Sequence, residues 1–183
     1  MVLASAGKLS WLRWNSFRKE NMTEASTNHT LAAQLIQGCK DMGYSIAVAE
    51  SLTGGWLASS IVDIPGASTV FRGGALTYQT QTKASVLGVS AEELEQTGPY
   101  TDSVARQMAE GVLKLYSADM AIATSGVAGP GDDGGHPAGE VHICVLTPTK
   151  QILRTVNIEG DRATVRAQSV ILALAAANTA LED

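Results

Sequence analysis

SIAVAESLTGGWLASSIV, residues 45–62, reads as a short β-prone run, a glycine turn and a helix. Ser45 to Ala49 is the run, Ser51 to Gly55 holds the turn formers, and Trp56 to Val62 returns to helical spacing. A strand that turns tightly into a helix is the repeating step of α/β folds.

Outward from this stretch the same alternation continues. Upstream, Leu31, Leu35, Ile36, Cys39 and Met42 recur at helical spacing within Glu24 to Met42, and Gly43 stands where a helix stop belongs. Downstream, Val70 to Tyr78 predicts a strand, and Lys83 to Leu87 and Ala91 to Gln96 predict short helices. Ser103 to Tyr116 predicts a longer helix, capped by Thr101 or Asp102, with Val104, Met108, Val112 and Leu115 on one apolar face. Met120 to Thr124, Glu140 to Thr147 and Gln151 to Ile158 predict strands, and Asp161 to Leu181 a closing Ala-rich helix. The expected fold class is α/β, a three-layer α/β/α sandwich with a mixed, largely parallel sheet. The close pair 140–147 and 151–158 makes a hairpin, so one strand must run antiparallel.

Composition narrows the partners. With 183 residues, 45% hydrophobic and 17% charged, the chain suits a single domain, expected at 25–183. No apolar run reaches the roughly 20 residues of a membrane helix, so a soluble protein is expected, and two distant cysteines fit a reducing, cytoplasmic compartment. A net charge of −5 with scattered basic residues disfavours nucleic acid and points to a small-molecule partner. Cys39 and Cys144, and His29, His136 and His142, show no disulfide or metal spacing, so no metal is expected. A homo-oligomer is left open. In residues 1–24, Lys8, Arg13, Arg18 and Lys19 lie among Trp11, Trp14 and Phe17 without a secretory apolar core. They read as a disordered or non-native extension, with organelle targeting as the alternative.

Three polar loops follow strands, where ligands of such sheets collect. In AESLTGG, 49–55, Ser51 sits at the strand-to-helix turn. The loop's N–H groups and the helix dipole suit a phosphate or an oxyanion, or merely a capped helix start. In TYQTQTK, 77–83, Lys83 can act as a base if burial lowers its pKa, with Tyr78 relaying or orienting the proton. An exposed lysine at a helix start is the plainer alternative. The arrangement is not SxxK, because Gly54 stands three residues after Ser51. TSGVAGPGDDGGHPAGE, 124–140, contains a formal GxGxxG from Gly129 to Gly134. No helix opens there, so the dinucleotide reading fails, leaving a ligand fence or a surface loop.

Together the loops resemble the C-terminal amidase domain of the CinA competence-damage family, over about Leu31 to Leu181. The resemblance is carried by AESLTGGWLASSIVDIPGASTVFRGGALTYQTQTKASVLGV (49–89), GPYTDSVARQMAEG (98–111), SGVAGPGDDGGHPAGEV (125–141) and GDRATVRAQ (160–168). Stand-alone members of that family are nicotinamide-nucleotide amidases of pyridine-nucleotide salvage. The resemblance therefore implies hydrolysis of nicotinamide mononucleotide to nicotinate mononucleotide and ammonia, with no cofactor. It also implies Ser51 as nucleophile, Lys83 as base and Tyr78 beside them. Thr53, Gly54, Gly55, Ser125 and Gly126 would contact substrate, and Arg162 or Arg166 its phosphate. Leu52, Thr80, Gln81 and His136 depart from the family's usual cysteine, asparagine, acidic residue and lysine. An inactive paralogue that binds a nucleotide is the alternative they leave. Removing the residues before Met22 is expected to leave the melting temperature and activity unchanged, and a large fall on scanning calorimetry would contradict the extension reading.

Overall fold

The computed structural model describes residues 26–182, so the extension reading for 1–24 lies outside the described residues. The helix α1 covers 26–42 and ends at Gly43, whose φ of +67° is the left-handed turn that glycine accommodates without strain. Then come β1 (Ile46–Glu50), α2 (Trp56–Val62), β2 (Phe71–Leu76), α3 (Thr80–Leu87), α4 (Ala91–Thr97), α5 (Asp102–Tyr116) and β3 (Met120–Gly126). The hairpin β4 (Glu140–Leu146) and β5 (Gln151–Asn157) leads to α6 (Arg162–Leu181). Thr101 caps α5 by accepting the Val104 N–H, and Asp161 caps α6 by accepting that of Thr164.

The sheet order is β2-β1-β3-β4-β5. β1 pairs parallel with both β2 and β3, while β4 is antiparallel to β3 and β5 to β4, so four strands share one direction. The three-layer, mixed and largely parallel sandwich is therefore observed. Alternation along the strands sorts the core. Ile46, Val48, Met120, Ile122, Val141 and Ile143 meet α1, α2 and α6 on one face. Ala47, Ala49, Ala121, Ala123 and Cys144 meet α3, α4 and α5 on the other. Four alanines on that second face let α5 lie close to the sheet.

Four expectations need correction. β2 is shorter than Val70 to Tyr78, because the chain leaves the sheet after Leu76 to enter α3, which itself begins at Thr80 rather than Lys83. Leu115 is 52% exposed, because the buried stripe of α5 runs through Val104, Ala105, Met108, Ala109 and Val112 and turns away from it. Met42 likewise lies 48% exposed at the end of α1. No helix among the described residues is long and apolar enough to cross a membrane.

Gly111, inside α5, abuts the carbonyl of Leu87 where α3 ends, and a Cβ there would collide with that oxygen. Gly111→Ala should therefore destabilise the domain by about 1–3 kcal/mol, despite alanine's better helix propensity. Urea denaturation reads this directly, and an unchanged midpoint would contradict the close α3–α5 contact.

Candidate active site

Three parallel strands lie side by side, so their carboxyl ends deliver three loops to one place. The register pairs Glu50 of β1 with Leu76 of β2 and with Thr124 of β3. The next residues, Thr77, Ser51 and Ser125, therefore form a row across the sheet's end. Two backbone bonds extend the ladder into that row: Ser51 N–H to Thr124 O at 3.0 Å and Thr77 N–H to Glu50 O at 2.8 Å.

Lys83, in the first turn of α3, points back at this row. Its Nζ lies 2.9 Å from Ser51 Oγ and 2.8 Å from the Thr77 carbonyl oxygen. Lys83 is 1% exposed and Ser51 4%, so the exposed-lysine alternative does not hold. No carboxylate pairs with Lys83 among the described residues. Burial without a counter-charge penalises the ammonium and lowers the Lys83 pKa to about 8. The amine is thus held near the protonation state a base requires. When charged it donates to Ser51, and when neutral it accepts the same hydroxyl proton without moving.

The N–H groups expected to meet a substrate anion are occupied. The buried Glu50 carboxylate accepts from Gly55 at 2.9 Å, Leu57 at 3.1 Å and Ala58 at 2.8 Å, so the start of α2 already holds an internal anion. Arg166 is engaged in a similar way. Its Nε and Nη2 donate to the carbonyls of Leu52 and Thr53 at 3.0 and 2.8 Å, and it lies 5.6 Å from the Trp56 ring centroid. Gly54 fits under this guanidinium, where a Cβ would press on Nη2.

A cavity of about 560 Å³ opens above Ser51. Of the residues expected to touch substrate, Ser51, Tyr78, Gly126 and Arg162 line it. Thr53, Gly54, Gly55, Ser125, Arg166 and Lys83 do not line it. The Thr53 hydroxyl pairs with that of Thr124 at 2.8 Å, and Ser125 Oγ donates to Pro99 O at 2.7 Å. The Tyr78 hydroxyl accepts from Arg162 Nη2 at 2.7 Å, and the structure does not bond it to Ser51 or Lys83. Arg162 also donates to Gly129 O at 2.7 Å. Leu52, Thr80 and Gln81 lie in the wall, so these departures from the family pattern face the cavity. Sequence reasoning missed Glu50, Tyr100 and Asp133. Glu50 was visible within AESLTGG, whereas Tyr100 and Asp133 line the cavity from loops with no local signal. Among the described residues no group of three or more His, Cys, Asp or Glu side chains is assembled for a metal.

Fold and site together define a three-layer α/β/α domain with a buried serine–lysine pair beneath an open cavity. Residues 28–181 match the family model of the CinA C-terminal domain, and the chain belongs to that family. A CinA-like protein of Frankia casuarinae is 43% identical over 130 residues, 71% of this chain and 30% of that protein. One of Fervidobacterium nodosum is 39% identical, over 71% of this chain and 32% of its own length. The chain thus spans about a third of the curated relatives it matches. Among solved structures, a CinA superfamily protein from Klebsiella pneumoniae superposes with a TM-score of 0.81 at 32% identity, covering 84% of this chain and 97% of the other. A competence/damage-inducible protein from Agrobacterium tumefaciens gives 0.81 at 31%, covering 86% and 96%.

A lysine pKa lowered on folding has a stability signature. Below pH 8 the folded state carries the buried ammonium at a cost of up to about 3 kcal/mol. Between about 8 and 10.5 the unfolded chain binds the extra proton, so wild-type stability rises with pH across that window. Lys83→Met should be more stable than wild type at pH 7 by about 1–3 kcal/mol, with the gap closing toward pH 10. Chemical denaturation of both proteins at several pH values checks this, and a pH-independent gap would contradict it.

Proposed function

We propose that this domain is an amidohydrolase that converts nicotinamide mononucleotide to nicotinate mononucleotide and ammonia. The observation that carries the reading is the 2.9 Å contact between Lys83 Nζ and Ser51 Oγ, buried and without a counter-charge. A serine hydroxyl becomes a competent nucleophile when a neighbouring base can take its proton, and an uncompensated buried amine is such a base. The substrate class comes from the resemblance to stand-alone CinA-type amidases, and the cavity volume lies within the range of small-molecule sites.

In the proposed reaction Ser51 Oγ attacks the carboxamide carbon while its proton passes to Lys83 Nζ. The oxygen of the tetrahedral intermediate meets the N–H of Leu52, next to the nucleophile and in the cavity wall. Lys83 returns the proton to the departing nitrogen, which leaves as ammonia. Water, deprotonated by the same amine, then releases the acid and restores Ser51. The phosphate would meet Arg162, of whose five N–H donors two are engaged with Gly129 and Tyr78. With Glu50 on the start of α2 and Arg166 tied to the loop carbonyls, Arg162 is the guanidinium left facing the cavity. Tyr78 then serves by holding Arg162 in place, not by relaying the Ser51 proton. The second reading, a nucleotide-binding module without turnover, is favoured only by the departures at Leu52, Thr80 and Gln81. Ammonia release from nicotinamide mononucleotide separates the two.

Ser51→Ala should lower kcat at least about a thousandfold and leave nucleotide binding near the wild-type value. Comparable turnover in that variant would remove the nucleophile. For wild type, kcat/KM should rise with pH through about 8, because the base works only after losing its proton. Lys83→Arg should abolish activity as Lys83→Ala does, since a guanidinium keeps its proton. Substantial activity in Lys83→Arg would leave the residue as a mere cation.

A further inference from the structure

Part of the cavity wall hangs on a line of hydrogen-bonded carboxyl and imidazole side chains that the proposed chemistry does not use. Asp133 and His136 close a tight hairpin over Gly134 and Gly135, each donating its N–H to the other's carbonyl at 3.0 Å. Tyr100 is gripped by both legs of this hairpin. Its hydroxyl donates to Asp133 Oδ2 at 2.5 Å, and its ring meets His136 edge-on with centroids 5.5 Å apart. Tyr100 and Asp133 both face the cavity.

From His136 the line runs inward. His136 Nδ1 and His142 Nε2 each lie 2.8 Å from Glu140 Oε1, and His142 Nδ1 lies 2.8 Å from Asp102 Oδ1 at the start of α5. Thr155 of β5 donates to that same Asp102 oxygen at 2.6 Å. His142 is 6% exposed, so the middle of the line is shielded from water. Hydrogen bonds from His142 and Thr155 hold the Asp102 carboxyl below its ordinary range. At Glu140 burial pushes upward, but the bonds from His142 and His136 outweigh it and the carboxyl is again held low. Both anions are thereby favoured. The loop they serve is rich in glycine, with Gly129, Gly131, Gly134, Gly135 and Gly139 all at positive φ. Such a segment loses much backbone freedom when ordered and needs external anchors to form a wall.

We propose that Asp102, His142, Glu140 and His136 are positioning residues for the proposed reaction: they fix Tyr100 and the 127–139 loop as the substrate-facing wall, and so set nucleotide affinity without entering the step at Ser51. The kinetic part of this inference rests on the amidase reading, while the ordering of the loop does not.

The test uses Glu140→Ala, His142→Gln and His142→Asn in the full chain. A glutamine amide nitrogen stands in for Nε2 facing Glu140, and an asparagine amide nitrogen for Nδ1 facing Asp102. In Glu140→Ala, KM for nicotinamide mononucleotide should rise about tenfold, the affinity equivalent of one charge-assisted hydrogen bond, with kcat within about twofold. The rise of rate with pH should stay where Lys83 places it. His142→Gln should keep more affinity than His142→Asn, because it preserves the link that reaches the loop. Without substrate, amide hydrogen exchange across 127–139 should quicken about tenfold in Glu140→Ala while β1 and β3 stay protected. Unchanged loop exchange, a fall in kcat with KM unaltered, or His142→Asn equalling His142→Gln would overturn the proposal. If wild type releases no ammonia, the amidase reading fails by itself. Loop exchange and the calorimetric Kd for the same nucleotide then decide the positioning role, and wild-type values for both in Glu140→Ala would reject it.

Discussion

An amine buried without a partner of opposite charge is the constraint on which the rest of this structure depends. Lys83 is 1% exposed and, among the described residues, bonded only to a carbonyl oxygen and a serine hydroxyl, so its ammonium form is disfavoured by the surrounding protein. Nothing in the fold's own stability calls for such a group. A leucine or methionine there would pack without the desolvation cost, and a carboxylate beside it would hold the charge but remove the basicity. The site trades stability for a side chain near its titration point, as groups tuned for proton transfer commonly do.

The pair depends in turn on how the parallel strands end. β1 leaves the sheet at Glu50, whose carboxylate turns forward and binds the first N–H groups of α2. This fixes the turn that holds Ser51 and occupies the N–H groups at the start of α2. Arg166 draws the same turn from the other side through the carbonyls of Leu52 and Thr53. Positive and negative groups thus clamp the Ser51 loop from both ends, and Arg162, one helical turn earlier on α6, is left to face the cavity.

Much of this was legible in the sequence, and the reason is periodicity. Trp56–Val62 was read at its observed boundaries because the turn residues Gly54 and Gly55 bracket it on one side and its apolar spacing defines it. The hairpin β4–β5 followed from two β-prone runs too close to allow a crossover. The start of α3 was not legible, because Thr80, Gln81 and Thr82 carry no apolar signal and Gln79 precedes them without a side-chain cap bond. The burial of Lys83 was not legible either. Which side of a short polar helix turns inward is decided by loops that meet only in the folded sheet. The same holds for Arg162 and Arg166. The motif GDRATVRAQ shows two arginines on one face, and only the packing of α6 against α2 puts the second over Trp56. Tyr100 carried no local hint, since its role comes from a hairpin more than thirty residues away in sequence.

The central claim is that burial brings the Lys83 amine down to a pKa at which it can act as a base, and ¹⁵N NMR of the lysine side chains tests it most directly. With Lys83 assigned by comparison with Lys83→Arg, the Nζ resonance should titrate near 8, well apart from the exposed lysines. A titration midpoint near 10.5 would show that burial has not neutralised the amine, and the serine–lysine account would fail.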